Sequence, residues 1–283
     1  MNTKSLLAVF GAVVLWSFVA TFSYLLSNLP PIFLTGAALL LGGLFSIPKA
    51  RSWTWNWHFI IAGVIAFFFY HFILFIALRT ANPVECNLIN YLWPLFLVLL
   101  APLFDRHLRW KFIHLAGGLL GFAGAFIAIY NPFNKISSAP TVATLSGGFH
   151  YGYVLAFAAA LIWPTYSLYL KRFPQVSSWT MGLVCLITGI LSLGTSFAFG
   201  EVITISGRDA LYLVLFGLGP LGFSFALWDY ALKNADPRKI GTLSYLTPIL
   251  STFWLTLATG HDLTIRLVLA LFLVVAGAVL GRR

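Results

Sequence analysis

The stretch Ala77-Leu78-Arg79-Thr80-Ala81-Asn82-Pro83, which runs on through Asn87 and Asn90 to Tyr91-Leu92-Trp93-Pro94, recurs 154 residues later in the chain. The second copy reads Ala231-Leu232-Lys233-Asn234-Ala235-Asp236-Pro237 and continues through Gly241 and Ser244 to Tyr245-Leu246-Thr247-Pro248. Seven of the 18 aligned positions are identical, against roughly one or two by chance at average residue usage. The chain therefore contains an internal repeat. Each copy has an apolar segment, a short polar break, a proline that restarts a helix and a second proline about three turns on. That order describes a helical hairpin.

Working outward, 60% of the 283 residues are hydrophobic and 8% are charged, where a soluble domain has about a quarter charged. The composition is that of an integral membrane protein. Runs long enough to cross about 30 Å of hydrocarbon as helices fall near 4–26, 29–48, 57–79, 83–103, 110–130, 149–170, 176–200, 209–233, 237–259 and 263–281. The first run is too long for a signal peptide and lacks a small-residue cleavage site, so it reads as a retained helix. The predicted fold class is all-α: ten transmembrane helices around a central cavity. The net charge of +10 includes no basic run longer than two residues, which argues against a nucleic-acid partner. Cys86 and Cys185 read as small buried hydrophobes, and no metal-ligand spacing or cofactor motif is present.

Lys and Arg are enriched in cytoplasmic loops. With the N-terminus inside, 13 of them fall on the cytoplasmic side, and Arg79, Lys135, Arg208 and Arg266, 4 in all, fall outside. Both termini are then cytoplasmic. Five spans per copy is an odd number, so the second copy enters the membrane from the opposite side and the repeat is inverted. The expected division is residues 1–130, an extracytoplasmic linker at 131–148 rich in Ser, Pro, Thr and Gly, and residues 149–283. Inverted repeats give two related arrangements, open to one side or the other, with a site near the midplane. This organisation points to a transporter.

Asn87, Asn90, Tyr91 and Pro94 fall at i, i+3, i+4 and i+7, on one helical face. Gly241, Ser244, Tyr245 and Pro248 repeat the pattern. Such a stripe either lines a cavity or joins helices to one another. Trp16 and Trp163 sit in mid-span, away from the interfaces where Trp gathers, and either fill core volume or stack on a ligand. Phe67, His71 and Phe75 form a further candidate face, with His71 read as hydrogen-bonded structure ahead of proton carrier. Asp229 is the one acidic residue clearly within a span and stands one turn before Lys233. An i, i+4 ion pair is its favoured reading, and coupling is the alternative. With no deep carboxylate for a lipophilic cation and no deep Lys or Arg for a sugar phosphate, the cavity is expected to be polar, neutral and aromatic. Gly117, Gly121, Gly124, Gly277 and Gly281 have the small-residue spacing of close helix packing.

Ten spans in two inverted halves, Trp in the first span of each half, and Ala-x-Pro followed by Tyr-Leu-x-Pro in both halves resemble the drug/metabolite transporter superfamily, EamA-type. The resemblance covers essentially the whole chain. Within the superfamily, Tyr91-Leu92-Trp93-Pro94-Leu95 and the aromatic richness are most similar to exporters of aromatic amino acids. It implies a carrier in the bacterial inner membrane that exports amino acids, with aromatic and hydrophobic ones preferred; other neutral metabolites or uncharged drugs are the alternative. Trp16, His71, Phe75, Asn87, Asn90, Tyr91, Trp163, Ser244 and Tyr245 are the substrate-binding candidates. Pro83, Pro94, Pro237 and Pro248 are the candidate hinges. Neither an intramembrane enzyme nor a channel is favoured, for want of a catalytic pair or a filter-like segment.

Overall fold

The computed structural model describes residues 2–81, 86, 89–105, 107–109, 111–129, 151–259 and 265–281. Asn87, Pro83 and the predicted linker at 131–148 lie outside the described residues. The elements in order are α1 Thr3–Ser17, α2 Val19–Leu25, α3 Pro31–Leu44, a 3₁₀ turn Ile47–Ser52, α4 Trp57–Thr80, α5 Trp93–Phe104 and α6 Phe112–Ile129. They continue as α7 Tyr151–Leu170, α8 Thr180–Ala198, α9 Gly207–Leu218, a π-helical segment Gly219–Phe223, α10 Ser224–Asn234, α11 Pro237–Ser244, α12 Leu246–Thr259 and α13 Ile265–Gly281. Hydrocarbon cannot hydrogen-bond to peptide groups, which is why an apolar chain of this composition folds into helices.

The helix starts are written locally. The Asn2 side chain accepts from the Ser5 amide at 2.8 Å, and that of Asn56 from the Phe59 amide at 3.1 Å. Ser206 and Asp209 form a reciprocal capping box on α9. Asp236 caps α11, with Pro237 at its first position.

Five helices are long and apolar enough to cross a membrane, among the described residues: Thr3–Leu25, Trp57–Leu74, Tyr151–Leu170, Thr180–Ala198 and Gly207–Asn234. Shorter apolar helices stand at Pro31–Leu44, Trp93–Phe104, Phe112–Gly124 and Val268–Gly277. Several of the predicted continuous spans are interrupted. The first turns at Phe18, the eighth passes through the π-helical segment, and the ninth breaks at Tyr245. The repeated Tyr-Leu-x-Pro marks such a break in both copies: Tyr91-Leu92 is a turn before α5, and Tyr245 separates α11 from α12. Pro94 and Pro248 therefore sit in the first turns of new helices, where a missing N–H is harmless.

Glycines set the closest crossings. An added Cβ on Gly277 would lie 2.6 Å from the Gly117 carbonyl oxygen, which lets α13 lie directly on α6. On α3, Gly43 faces the Gly182 carbonyl at 2.7 Å and Gly42 faces that of Gly217 at 2.7 Å. Gly42→Ala would also strike the Leu221 carbonyl of the π-helical segment. Because backbone cannot move aside as a side chain can, we expect Gly42→Ala to destabilise the protein by about 1–3 kcal/mol. A lowered thermal unfolding temperature in detergent checks it; an unchanged one would mean that α3 is free to shift.

Candidate functional site

The middle of the molecule is a cluster of rings drawn from five helices, all buried except the partly buried Tyr70. Trp16 closes α1 just before the Phe18 turn, α4 supplies Phe67 and Tyr70, and Trp93 opens α5. Trp163 and Tyr166 come from α7, and Phe225 and Trp228 from α10. Trp16 lies 5.0 Å from Trp228, 5.7 Å from Trp163 and 6.2 Å from Trp93, centroid to centroid, the last two nearly edge-on. Phe67 meets Phe225 at 4.5 Å and Trp163 at 5.6 Å, and Trp93 meets Trp228 at 5.6 Å. Offset and edge-to-face rings attract through their quadrupoles, worth about 0.5–1.5 kcal/mol per pair beyond burial. Trp228 also donates its indole N–H to Ser167 Oγ at 3.1 Å.

Asn90 borders this cluster with spare hydrogen-bonding capacity. Asn90, 6% exposed, donates from Nδ2 to Tyr70 Oη at 3.2 Å, and Tyr70 rests 5.7 Å from Trp163. Asn90 Oδ1 is buried and, among the described residues, has no hydrogen-bond partner. A buried acceptor without a donor is unfavourable by about 1–3 kcal/mol, so it is suited to receive a ligand's N–H. Tyr91 is half-buried in the turn beside it. His71 Nδ1 lies 2.7 Å from the Phe67 carbonyl, and because a carbonyl only accepts, the proton sits on Nδ1. The ring stands 5.0 Å from Tyr70 and borders a small cleft with Thr35 and Ser192. Phe75 is on α4, and its side chain lies outside the described residues.

Two predicted members are placed elsewhere. Ser244 is fully buried and donates to the Ile240 carbonyl of its own helix at 2.9 Å. Tyr245, also fully buried, packs with Leu95, Ile249, Ala270 and Val274 and lies against Gly121 of α6. Gly241 sets a helix crossing, with its missing Cβ 2.8 Å from the Pro94 carbonyl. In the second copy the stripe thus joins helices to one another, whereas Asn90 in the first copy reaches the aromatic centre. Trp93 carries the same mid-span signal as Trp16 and Trp163 and could have been found in that way, whereas Trp228 lies near the end of its predicted span and is brought to the cluster by tertiary packing.

Ion pairs and hydrogen bonds tie the helix ends on one side of the cluster. Asp229, beside Trp228 and fully buried, accepts at Oδ2 from Lys233 Nζ at 2.6 Å and from Ser178 Oγ at 2.6 Å. Lys233 also donates to the Val176 carbonyl at 2.7 Å and lies 5.0 Å over the Phe59 ring. These bonds join α10 to the segment between α7 and α8 and to α4. The Arg238 guanidinium grips Asp236 at 2.6 Å and the Arg109 carbonyl at 2.8 Å. Burial opposes ionisation of Asp236, but hydrogen bonds from the Arg238 side chain and amide outweigh it and hold the carboxyl below its usual range.

Apolar helices of membrane-spanning length packed around a buried aromatic centre define a multi-pass membrane protein. The model of the EamA-like transporter family matches residues 3–130 and again 150–281, and the chain belongs to that family. It is 33% identical over 276 residues to the aromatic amino acid exporter YddG of Ancylobacter novellus, covering 95% of this chain and 93% of that one. The YddG of Escherichia coli strain K12 is 26% identical, with 85% and 84% covered. A crystal structure of a protein 32% identical to the chain superposes with a TM-score of 0.86 over 99% of this chain and 96% of the other.

Proposed function

We propose that the chain is a bacterial inner-membrane carrier that exports amino acids, preferring aromatic and other hydrophobic ones, by alternating access. In this reading it has ten spans in two inverted five-helix repeats, residues 1–130 and 149–283, with 131–148 as the linker and both termini cytoplasmic. Two observations support the arrangement. The family model matches the chain twice. Equivalent elements of the two halves also pack on each other, α3 on α8 and α6 on α13, while α1 on α10 mirrors α7 on α4, as an approximate two-fold relation would produce.

The observation that carries the substrate class is the aromatic cluster with the unfilled Asn90 acceptor at its edge. Trp16, Trp93, Trp163 and Trp228 stack on the apolar side chain. Asn90 and Tyr91 hold the zwitterion, and His71, Phe75 and Asn87 are assigned to the same site. A neutral site suits a ligand whose own charges cancel, since no fixed charge has to be desolvated. Ser244 and Tyr245 serve helix packing, and Pro83, Pro94, Pro237 and Pro248 mark the hinges. The cycle runs without an obligatory proton relay through Asp229, whose Oδ2 is paired with Lys233 Nζ at 2.6 Å.

Efflux from proteoliposomes loaded with labelled tryptophan, phenylalanine, alanine or lysine tests this. Saturable efflux of the aromatic amino acids, weaker for alanine, absent for lysine and unchanged when the proton gradient is collapsed, is expected. No amino-acid flux from correctly inserted protein would overturn the substrate and leave other neutral metabolites or uncharged drugs.

A further inference from the structure

We infer that the chain carries a specific site for an anionic membrane phospholipid on its outer, lipid-facing surface, behind the aromatic cluster. A groove of about 530 Å³ lies between α4 and α7 and reaches Phe104 at the end of α5. Its floor is Ala66 and Tyr166, 7% and 5% exposed, and its walls include the exposed side chains of Ile65, Phe69 and Thr165. The groove extends along α7 from Leu161 to Tyr169, which at helical rise is about 12 Å. One leaflet contributes about 15 Å of hydrocarbon. Its depth therefore suits one acyl chain lying along the helices.

The charge at the rim selects the head group. Arg172 is exposed one turn beyond Leu168, and its guanidinium lies over two of the groove's own rings, 5.9 Å from the Phe104 centroid and 5.7 Å from that of Tyr169. Among the described residues no carboxylate lies within ion-pair distance of Arg172, whereas its neighbour Lys171 is 4.0 Å from Asp105. Stacking on aromatic faces leaves the N–H edge of a guanidinium free, and that edge matches a phosphate. An acyl chain in the groove puts its phosphate at this edge. The site also touches the transport machinery, because Tyr166 lies 5.6 Å from Phe67 and 6.0 Å from Trp163. A bound lipid therefore buttresses the α4–α7 contact from outside.

Native mass spectrometry of the full chain, equilibrated with equal amounts of phosphatidylglycerol and phosphatidylcholine of matched acyl chains, tests the site. Wild type is expected to retain one phospholipid, with phosphatidylglycerol favoured about fivefold, the effect of one basic residue near a lipid head group. Arg172→Gln, a surface change, should bring that ratio to about one while leaving retention of phosphatidylcholine unaltered. Thr165→Trp and Ile65→Trp fill the groove from opposite walls, and either folded variant should lose both lipids. Equal retention of the two lipids by wild type, an unchanged preference in Arg172→Gln, or wild-type retention in a folded groove-filling variant would overturn the proposal.

Discussion

Trp163→Ala is expected to raise the KM for tryptophan efflux by tenfold or more while Trp163→Phe stays within a few-fold of wild type. Trp163 touches Trp16, Phe67, Tyr70, Tyr166, Phe225 and Trp228, so it is the common neighbour of the aromatic centre. Losing two ring contacts to a substrate, at about 0.5–1.5 kcal/mol each, amounts to roughly a tenfold loss of affinity. The same change leaves a large cavity and destabilises the fold by about 3–5 kcal/mol, so efflux must be normalised to inserted, folded protein. Phenylalanine at this position keeps a ring in the cluster and separates the two effects. A folded Trp163→Ala protein with wild-type KM for tryptophan would remove the ring from the substrate's path.

Lys233→Met is expected to destabilise the protein by about 3–5 kcal/mol, because it strands the Asp229 carboxylate in the interior with only Ser178 donating to it. Asp229→Asn combined with Lys233→Met removes both charges and should recover most of that loss, since no uncompensated charge is then left in the interior. A double-mutant cycle on thermal unfolding in detergent measures the coupling. Additive effects would show that the 2.6 Å contact contributes little. Efflux by the double variant then bears on mechanism: activity retained without the carboxylate supports a cycle with no proton relay, and loss of transport from a fully stable protein assigns Asp229 to coupling.

Much of the helical plan is legible in the chain alone. Capping residues, Pro237 at a helix start and the i, i+4 spacing of Asp229 and Lys233 are all local features, decided by groups within a turn of one another. Mid-span tryptophans could likewise be singled out, because Trp otherwise gathers at the interfaces. Which neighbours each side chain meets was decided only by tertiary structure. Trp16 and Trp228 stand 5.0 Å apart although 212 residues separate them. Tyr91 and Tyr245 occupy equivalent positions of the repeat, yet Tyr245 is buried against Gly121 while the first copy's Asn90 reaches the aromatic centre. The physical reason lies in the solvent. A membrane helix such as α4 is apolar on every side, so hydrophobicity does not mark its protein-facing side, and the choice falls to glycine notches, ring packing and buried pairs that exist only once the helices have met.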